Sequence, residues 1–329
     1  MSNMATNATT TCPNCSAPLI KDTAFCTHCG ASLNSANPFF TIRSRWILLW
    51  IIGGVPLMIL ATYLIGFILI STGSFSEYSD PFFDSLALGL STQGILLLWG
   101  IWVIRRSNLS RDALIGRIPL NYPWLLAFGI IIAMLLYSIG ASWVFSYPLT
   151  VFAPDMLVDL LNTRIFLETT ETAQPMLANS WIVLLIVILA PVSEELVFRG
   201  ILLSRWSTKW GHTKAILLSS TLFGSLHFPD IIGAFMFGIL MCAIYMKTRT
   251  LIIPIIIHVG NNLTACMLSL LLPTSTVDVN SFQNVQFELY IGLCCVMLTS
   301  PWLVILMTRW WPKKKDKIPY LHNIEDASK

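Results

Sequence analysis

Ala190-Pro191-Val192-Ser193-Glu194-Glu195-Leu196-Val197-Phe198-Arg199-Gly200 sets two carboxylates and a guanidinium in the middle of an apolar run. The residues before it, 181–189, and Ile201-Leu202-Leu203 after it would alone read as one membrane-crossing helix. A charged residue near the centre of such a helix costs about 2.5 to 3.5 kcal/mol on insertion scales. Three together need a reason. On a helix, Glu195 and Arg199 are one turn apart with the acid on the N-terminal side, the favourable order for an ion pair. Glu194 points about 100° away around the axis and is left available for chemistry. The plain alternative is a structural clamp between helices, and what separates the two readings lies elsewhere in the chain.

Composition sets the class. Of 329 residues, 55% are hydrophobic and 11% charged, and the mean hydropathy is +0.70. Soluble domains carry about 25% charge, so the chain reads as an all-α polytopic membrane protein. Eight apolar runs predict helices over 46–70, 85–104, 124–147, 181–203, 215–226, 231–246, 251–272 and 289–310. The fifth and sixth are shorter than the roughly 20 residues a straight crossing needs and read as a hairpin turning at Phe228-Pro229-Asp230. Basic residues collect before the first run and after the second, fourth, sixth and eighth, while the intervening loops carry mostly Asp and Glu. This alternation predicts an even number of spans with both termini in the cytoplasm. Residues 1–45 hold no apolar stretch of the kind that opens a secretory signal, and no internal repeat points to a two-halved transporter.

Cys12-Pro13-Asn14-Cys15 and Cys26-Thr27-His28-Cys29 form two C-x2-C knuckles ten residues apart. Four thiolates at that spacing suit a tetrahedral structural zinc site, and a peptide this short could not fold on an apolar core alone. A pair of disulfides is the competing reading and needs an oxidising compartment; His28 is surplus to a four-thiolate site. One lysine and no arginine lie between Cys12 and Cys29, so a phosphate-tracking surface is missing and nucleic acid is disfavoured as a partner. A protein partner suits the ribbon better, and a passive cap suits it equally. The organisation that follows is a ribbon over 1–30, a linker over 31–45 whose Ser, Asn and Pro over 31–41 suggest a flexible tether, a helical domain over 46–311 with its core at 181–272, and a tail over 312–329.

Two more polar intrusions complete the pattern. Phe223-Gly224-Ser225-Leu226-His227 closes the fifth run, and His258-Val259-Gly260-Asn261-Asn262 interrupts the seventh. His258 and Asn262 are four apart and share a helix face. At about 1.5 Å per residue, Glu194, His227 and His258 reach comparable depths in the bilayer from three separate helices.

Glu194-Glu195-Leu196-Val197-Phe198-Arg199 resembles the EExxFR motif, Phe223 to His227 the FxxxH motif and His258 to Asn262 the HxxxN motif of the CAAX-protease and bacteriocin-processing (CPBP, or Abi) family of intramembrane proteases. The similarity spans about residues 124–272, and the helix count is similar to that of type II CAAX prenyl endopeptidases. The resemblance implies hydrolysis of a peptide bond in a membrane-associated or hydrophobic tail, and the ribbon, which resembles those at the N-terminus of many bacterial membrane proteins, suggests a bacterial plasma membrane. It implies Glu194 as general base on a water, aided by His227, with His258 and Asn262 stabilising the oxyanion and Arg199 holding Glu195. The same His227, His258 and a glutamate could instead ligate a catalytic metal; the residues leave both open. Two other classes compete: a non-catalytic scaffold or immunity protein, and a proton-coupled transporter using Glu and His as a relay.

Overall fold

The computed structural model describes residues 11–12, 15–18, 27–29, 37–162, 165–167, 170–271 and 285–327. Among them the regular structure is helical, and the chain is an all-α, multi-pass membrane protein. In chain order the helices are α1 (Trp46–Ser71), α2 (Pro81–Arg106), α3 (Arg111–Ile115), α4 (Trp124–Phe152), α5 (Pro154–Asn162), α6 (Pro175–Trp210), α7 (His212–Ser225), α8 (Ile231–Thr248), α9 (Ile252–Leu271), α10 (Val285–Trp310) and α11 (Pro319–Ala327). All eight apolar runs are helices. Seven of these, α1, α2, α4, α6, α8, α9 and α10, are long and apolar enough to cross a membrane. The sixth run was expected to fall short of that length. Its helix, α8, instead gains two residues at its C-terminal end and reaches 18 residues. Only α7, at 14 residues and about 21 Å, is short, and it turns into α8 through Phe228-Pro229-Asp230 as anticipated. Asp230 caps α8 by accepting a hydrogen bond from the Gly233 amide at 3.1 Å.

Burial sorts the helices into a core and a rim. The crossing window of α8 is 56% buried, and that of α1 only 11%, so α8 is central and α1 faces lipid along most of its length. In α8, Leu240, Met241, Cys242, Ala243, Ile244 and Tyr245 are wholly enclosed. Where α4 meets α10 the backbones nearly touch: a Cβ on Gly140 would lie 2.6 Å from the Gly292 carbonyl oxygen. Small residues permit such approaches between apolar helices, where lipid offers no hydrophobic drive to packing.

The long helix α6 is not a uniform α-helix. Residues Leu184–Leu189 and Glu195–Leu203 are π-helical, and Pro191 is the local cause of the first departure. Proline removes a backbone donor and clashes with the carbonyl one turn earlier. The Ala190 amide bonds to the Leu185 carbonyl, five residues back. In that register Ile186 O should accept from residue 191, which has no N–H. The side chain of Asn262 on α9 fills the place, its Nδ2 donating to Ile186 O at 2.9 Å. A neighbouring side chain re-satisfying a freed carbonyl is how membrane helices tolerate proline.

Residues flanking the bundle are more tightly held than their composition suggested. Pro38–Phe40 form a turn of 3-10 helix capped by Asn37, and Phe39 and Ile42 are buried. The Phe39 ring packs edge-on against Tyr320 of α11 at 5.3 Å. Asn37 Nδ2 donates to Thr208 Oγ1 at 3.2 Å, fastening this segment to the end of α6. The flexible tether expected over 31–41 is therefore contradicted from Asn37 onward; residues 31–36 lie outside those described. The tail is likewise folded: α11 docks on α3, with Asn323 Nδ2 donating to Ala113 O and Arg249 O at 2.8 and 2.9 Å.

Candidate active site

Glu194 and Glu195 are adjacent on α6, at the junction between its short α-helical segment and the second π-helical one. Both are buried, and so is Arg199. Arg199 Nη1 donates to Glu195 Oε1 at 2.8 Å, the pair the spacing predicts. The guanidinium also lies 4.5 Å from the centre of the Phe223 ring, a cation–π contact that helps hold a desolvated charge. Glu195 does more than meet arginine: its Oε1 also accepts from His258 Nδ1 at 2.9 Å. That bond spans α6 and α9 and sets the ring of His258.

His227 sits just past the end of α7. Its Nδ1 donates to the Phe223 carbonyl at 2.7 Å, and its ring stacks on Phe223 with centroids 4.2 Å apart. Carbonyl and carboxylate oxygens can only accept, so both imidazoles must carry their proton on Nδ1. Each neutral ring then turns the lone pair of Nε2 toward one atom, Glu194 Oε2. The separations are 3.7 Å from His227 and 3.9 Å from His258. They are too long for direct hydrogen bonds.

The two oxygens of Glu194 have different surroundings. Oε1 accepts from Gln93 Nε2 at 2.8 Å, while Oε2 is buried without a hydrogen-bond partner. Gln93 belongs to a π-helical turn, Leu90–Gly94, inside α2, and Ser193 Oγ donates to its Oε1. That second bond turns the amide so that its NH2 faces the carboxylate. Short π segments inside α-helices recur at functional sites, and here each of the two helices meeting at Glu194 has one. Gln93 was not among the residues the sequence singled out. The signal was present as Ser91-Thr92-Gln93, a polar triplet inside an apolar run.

Four of the six expected residues, Glu194, Glu195, His227 and His258, thus converge through contacts of 3.9 Å or less, and Arg199 joins through Glu195. Asn262 is one turn along α9 from His258, but one N–H of its amide is committed to Ile186 O. Access is uneven. The side chain of His227 is 35% exposed, against 5% for His258 and 7% for Glu194. The open side lies at the α7–α8 turn, between the exposed apolar side chains of Leu226 and Phe228.

Residues 176–264 match the type II CAAX prenyl endopeptidase Rce1-like family, and all six of these residues fall inside the match. The match covers 89 of the 329 residues. Residues 11–33 match the zinc-ribbon domain. No curated protein and no solved structure matches the chain. The similarity to this family supports, at the family level, an intramembrane endopeptidase acting on a membrane-associated substrate.

In the ribbon, the Sγ atoms of Cys12, Cys15 and Cys29 lie within 4.8 Å of one another; Cys26 lies outside the described residues. The Cys12–Cys29 separation is 3.8 Å. Thiolates at about 2.3 Å from a tetrahedral ion stand about 3.8 Å apart, whereas a disulfide requires about 2.05 Å. The three sulfurs therefore suit a shared metal ion and exclude a Cys12–Cys29 bridge.

Proposed function

We propose that the chain is an intramembrane endopeptidase in which Glu194 activates water to hydrolyse a peptide bond near the end of a hydrophobic, membrane-associated protein or peptide. The observation that carries this reading is Glu194 Oε2, buried and unpaired with an imidazole nitrogen on either side. Gln93 occupies the other oxygen, so Oε2 is the one left to act as base.

Water bound between Oε2 and His227 Nε2 gives a proton to Oε2 as its oxygen adds to the scissile carbonyl carbon. The carbonyl π electrons move to oxygen, and the oxyanion is met by N–H donors from the α9 side. His258 donates there from Nε2 when it carries a second proton, its Nδ1 proton remaining on Glu195. The uncommitted N–H of Asn262 supplies the other donor. Collapse of the tetrahedral adduct expels the amine, which takes the proton held by Glu194, leaving a carboxylic acid and an amine. Losing one oxyanion donor typically costs about 100- to 1,000-fold in rate. Arg199 acts at one remove, holding Glu195 and through it the ring of His258.

A second reading has its own observation. Both Nδ1 protons are tied to oxygen acceptors, leaving both Nε2 lone pairs directed at one carboxylate oxygen, the orientation that second-shell acceptors impose on metal-ligating histidines. His227, His258 and Glu194 would then hold a metal that lowers the pKa of bound water. Substituting Cys12 and Cys15 by Ser in the full chain removes the ribbon's ion and exposes any other. Activity that survives chelation in that variant and is abolished by Glu194→Gln supports the glutamate mechanism. One residual equivalent of metal, lost together with activity, supports the second.

The apolar lips Leu226 and Phe228 at the open side suit a hydrophobic substrate tail. The basic residues that follow alternate helices in the sequence support a cytoplasmic location of both termini by the positive-inside rule; the family resemblance and the ribbon favour a bacterial plasma membrane. Comparing the membrane proteome and released peptides of cells expressing the native chain or Glu194→Gln tests the whole proposal. Cleavage products common to both would overturn it.

A further inference from the structure

Away from the catalytic centre, at the basic end of the bundle, the start of α1 and the end of α2 enclose a cavity of about 430 Å³. Arg43 and Arg106 line it together with Trp46, Trp102 and the buried Val103. The Trp46 and Trp102 rings lie 6.3 Å apart. Gln93 is on the same helix 9 to 13 residues earlier, so the cavity lies roughly 14 to 20 Å along the axis from the residue that holds Glu194.

Two basic side chains near this end have carboxylate partners: Arg249 meets Asp326 and Lys317 meets Glu325. Among the described residues, Arg43 and Arg106 have none. Two exposed guanidinium groups beside one cavity, without acids, suit an anionic group, and guanidinium geometry suits phosphate oxygens in particular. Tryptophans opening α1 and near the end of α2 occupy the positions of an interfacial aromatic belt, at headgroup depth. From the cavity, the outer side of α1 continues as an exposed apolar ridge of Leu48, Leu49 and Ile52, a surface for acyl chains.

We propose that this cavity binds the phosphate of an anionic glycerophospholipid, with Arg43 and Arg106 on the headgroup and the acyl chains along α1. The ligand chemistry, a phosphate group, could also come from solution; the apolar ridge favours the lipid.

The test uses the full chain in detergent, with binding of phosphatidylglycerol read by native mass spectrometry and by the shift in melting temperature. Phosphatidylcholine and inorganic phosphate are the comparison ligands. Phosphatidylglycerol should bind and stabilise, phosphatidylcholine more weakly. Arg43→Gln combined with Arg106→Gln should weaken phosphatidylglycerol about tenfold or more, as expected for loss of charge-assisted bonds. Arg105→Gln combined with Arg117→Gln removes the same charge outside the cavity and should leave binding within about threefold. If the first double variant does not fold, the two single substitutions are read in the same way. Equal weakening by both pairs, or by neither, overturns the site. Equal stabilisation by inorganic phosphate at matched concentration overturns the lipid as its occupant.

Discussion

Asn262 on α9 donates to the carbonyl of Ile186 on α6 at 2.9 Å, occupying the position that Pro191 leaves without a donor. The same side chain thus joins the two helices that carry Glu194 and His258 and compensates for a proline three residues before Glu194. Asn262→Ala strands a buried carbonyl, which costs about 1 to 3 kcal/mol. Pro191→Ala restores an N–H at residue 191. In a double-mutant cycle read by thermal unfolding, Asn262→Ala should cost less in the Pro191→Ala background than in the native one. Additive effects would show that the two residues do not share this carbonyl.

Gln93 determines which oxygen of Glu194 is free. A hydrogen bond to a charged group contributes about 1.5 to 3 kcal/mol, so Gln93→Leu should lower kcat by about 10- to 100-fold while leaving KM within about threefold. Ser193→Ala loosens the amide without removing it and should have a smaller effect of the same kind. A rise in KM with unchanged kcat would place Gln93 in substrate binding.

Glu195 and Arg199 are buried as a pair, and removing one partner leaves a lone charge in an apolar interior. Arg199→Met should cost about 3 to 5 kcal/mol and release the ring of His258, so stability and activity fall together. Exchanging both, Glu195→Gln with Arg199→Met, should recover part of the stability and little of the activity. Recovery of both would mean the pair acts only as a clamp.

Phe39 is fully buried against Tyr320. Phe39→Ala should destabilise the whole membrane domain by about 3 to 5 kcal/mol, visible as a lowered melting temperature in detergent. Phe40, which is 43% exposed, is the internal comparison, and its alanine substitution should change little.

Removing the ribbon's ion should unfold the ribbon, since metal binding supplies the folding free energy of such modules. Chelation or Cys12→Ser should release one equivalent of metal and leave the melting transition of the membrane domain in place. A coincident loss of both would show that the ribbon and the bundle fold as one unit.

Much of the fold was legible because charge is rare inside a membrane. Glu194, Glu195, Arg199, His227 and His258 stood out against apolar runs, and their spacing placed them at one depth. Two features were hidden for physical reasons. Periodicity arguments assume 3.6 residues per turn, so the π-helical segments of α6 and α2 could not be read from pattern, nor the carbonyl that Asn262 satisfies. Gln93 carries no charge and lies outside every motif, and only geometry shows it reaching across 101 residues to Glu194. The segment around Phe39 was misjudged because Ser, Asn and Pro dominated its reading, while its aromatic pair carried the packing information.

The contact between Phe39 and Tyr320 also imposes an order on assembly. Phe39 leaves the ribosome some 280 residues before Tyr320. Its seat is therefore incomplete while the spans are being inserted, and the segment that leads into the first span settles only once the last helix has arrived.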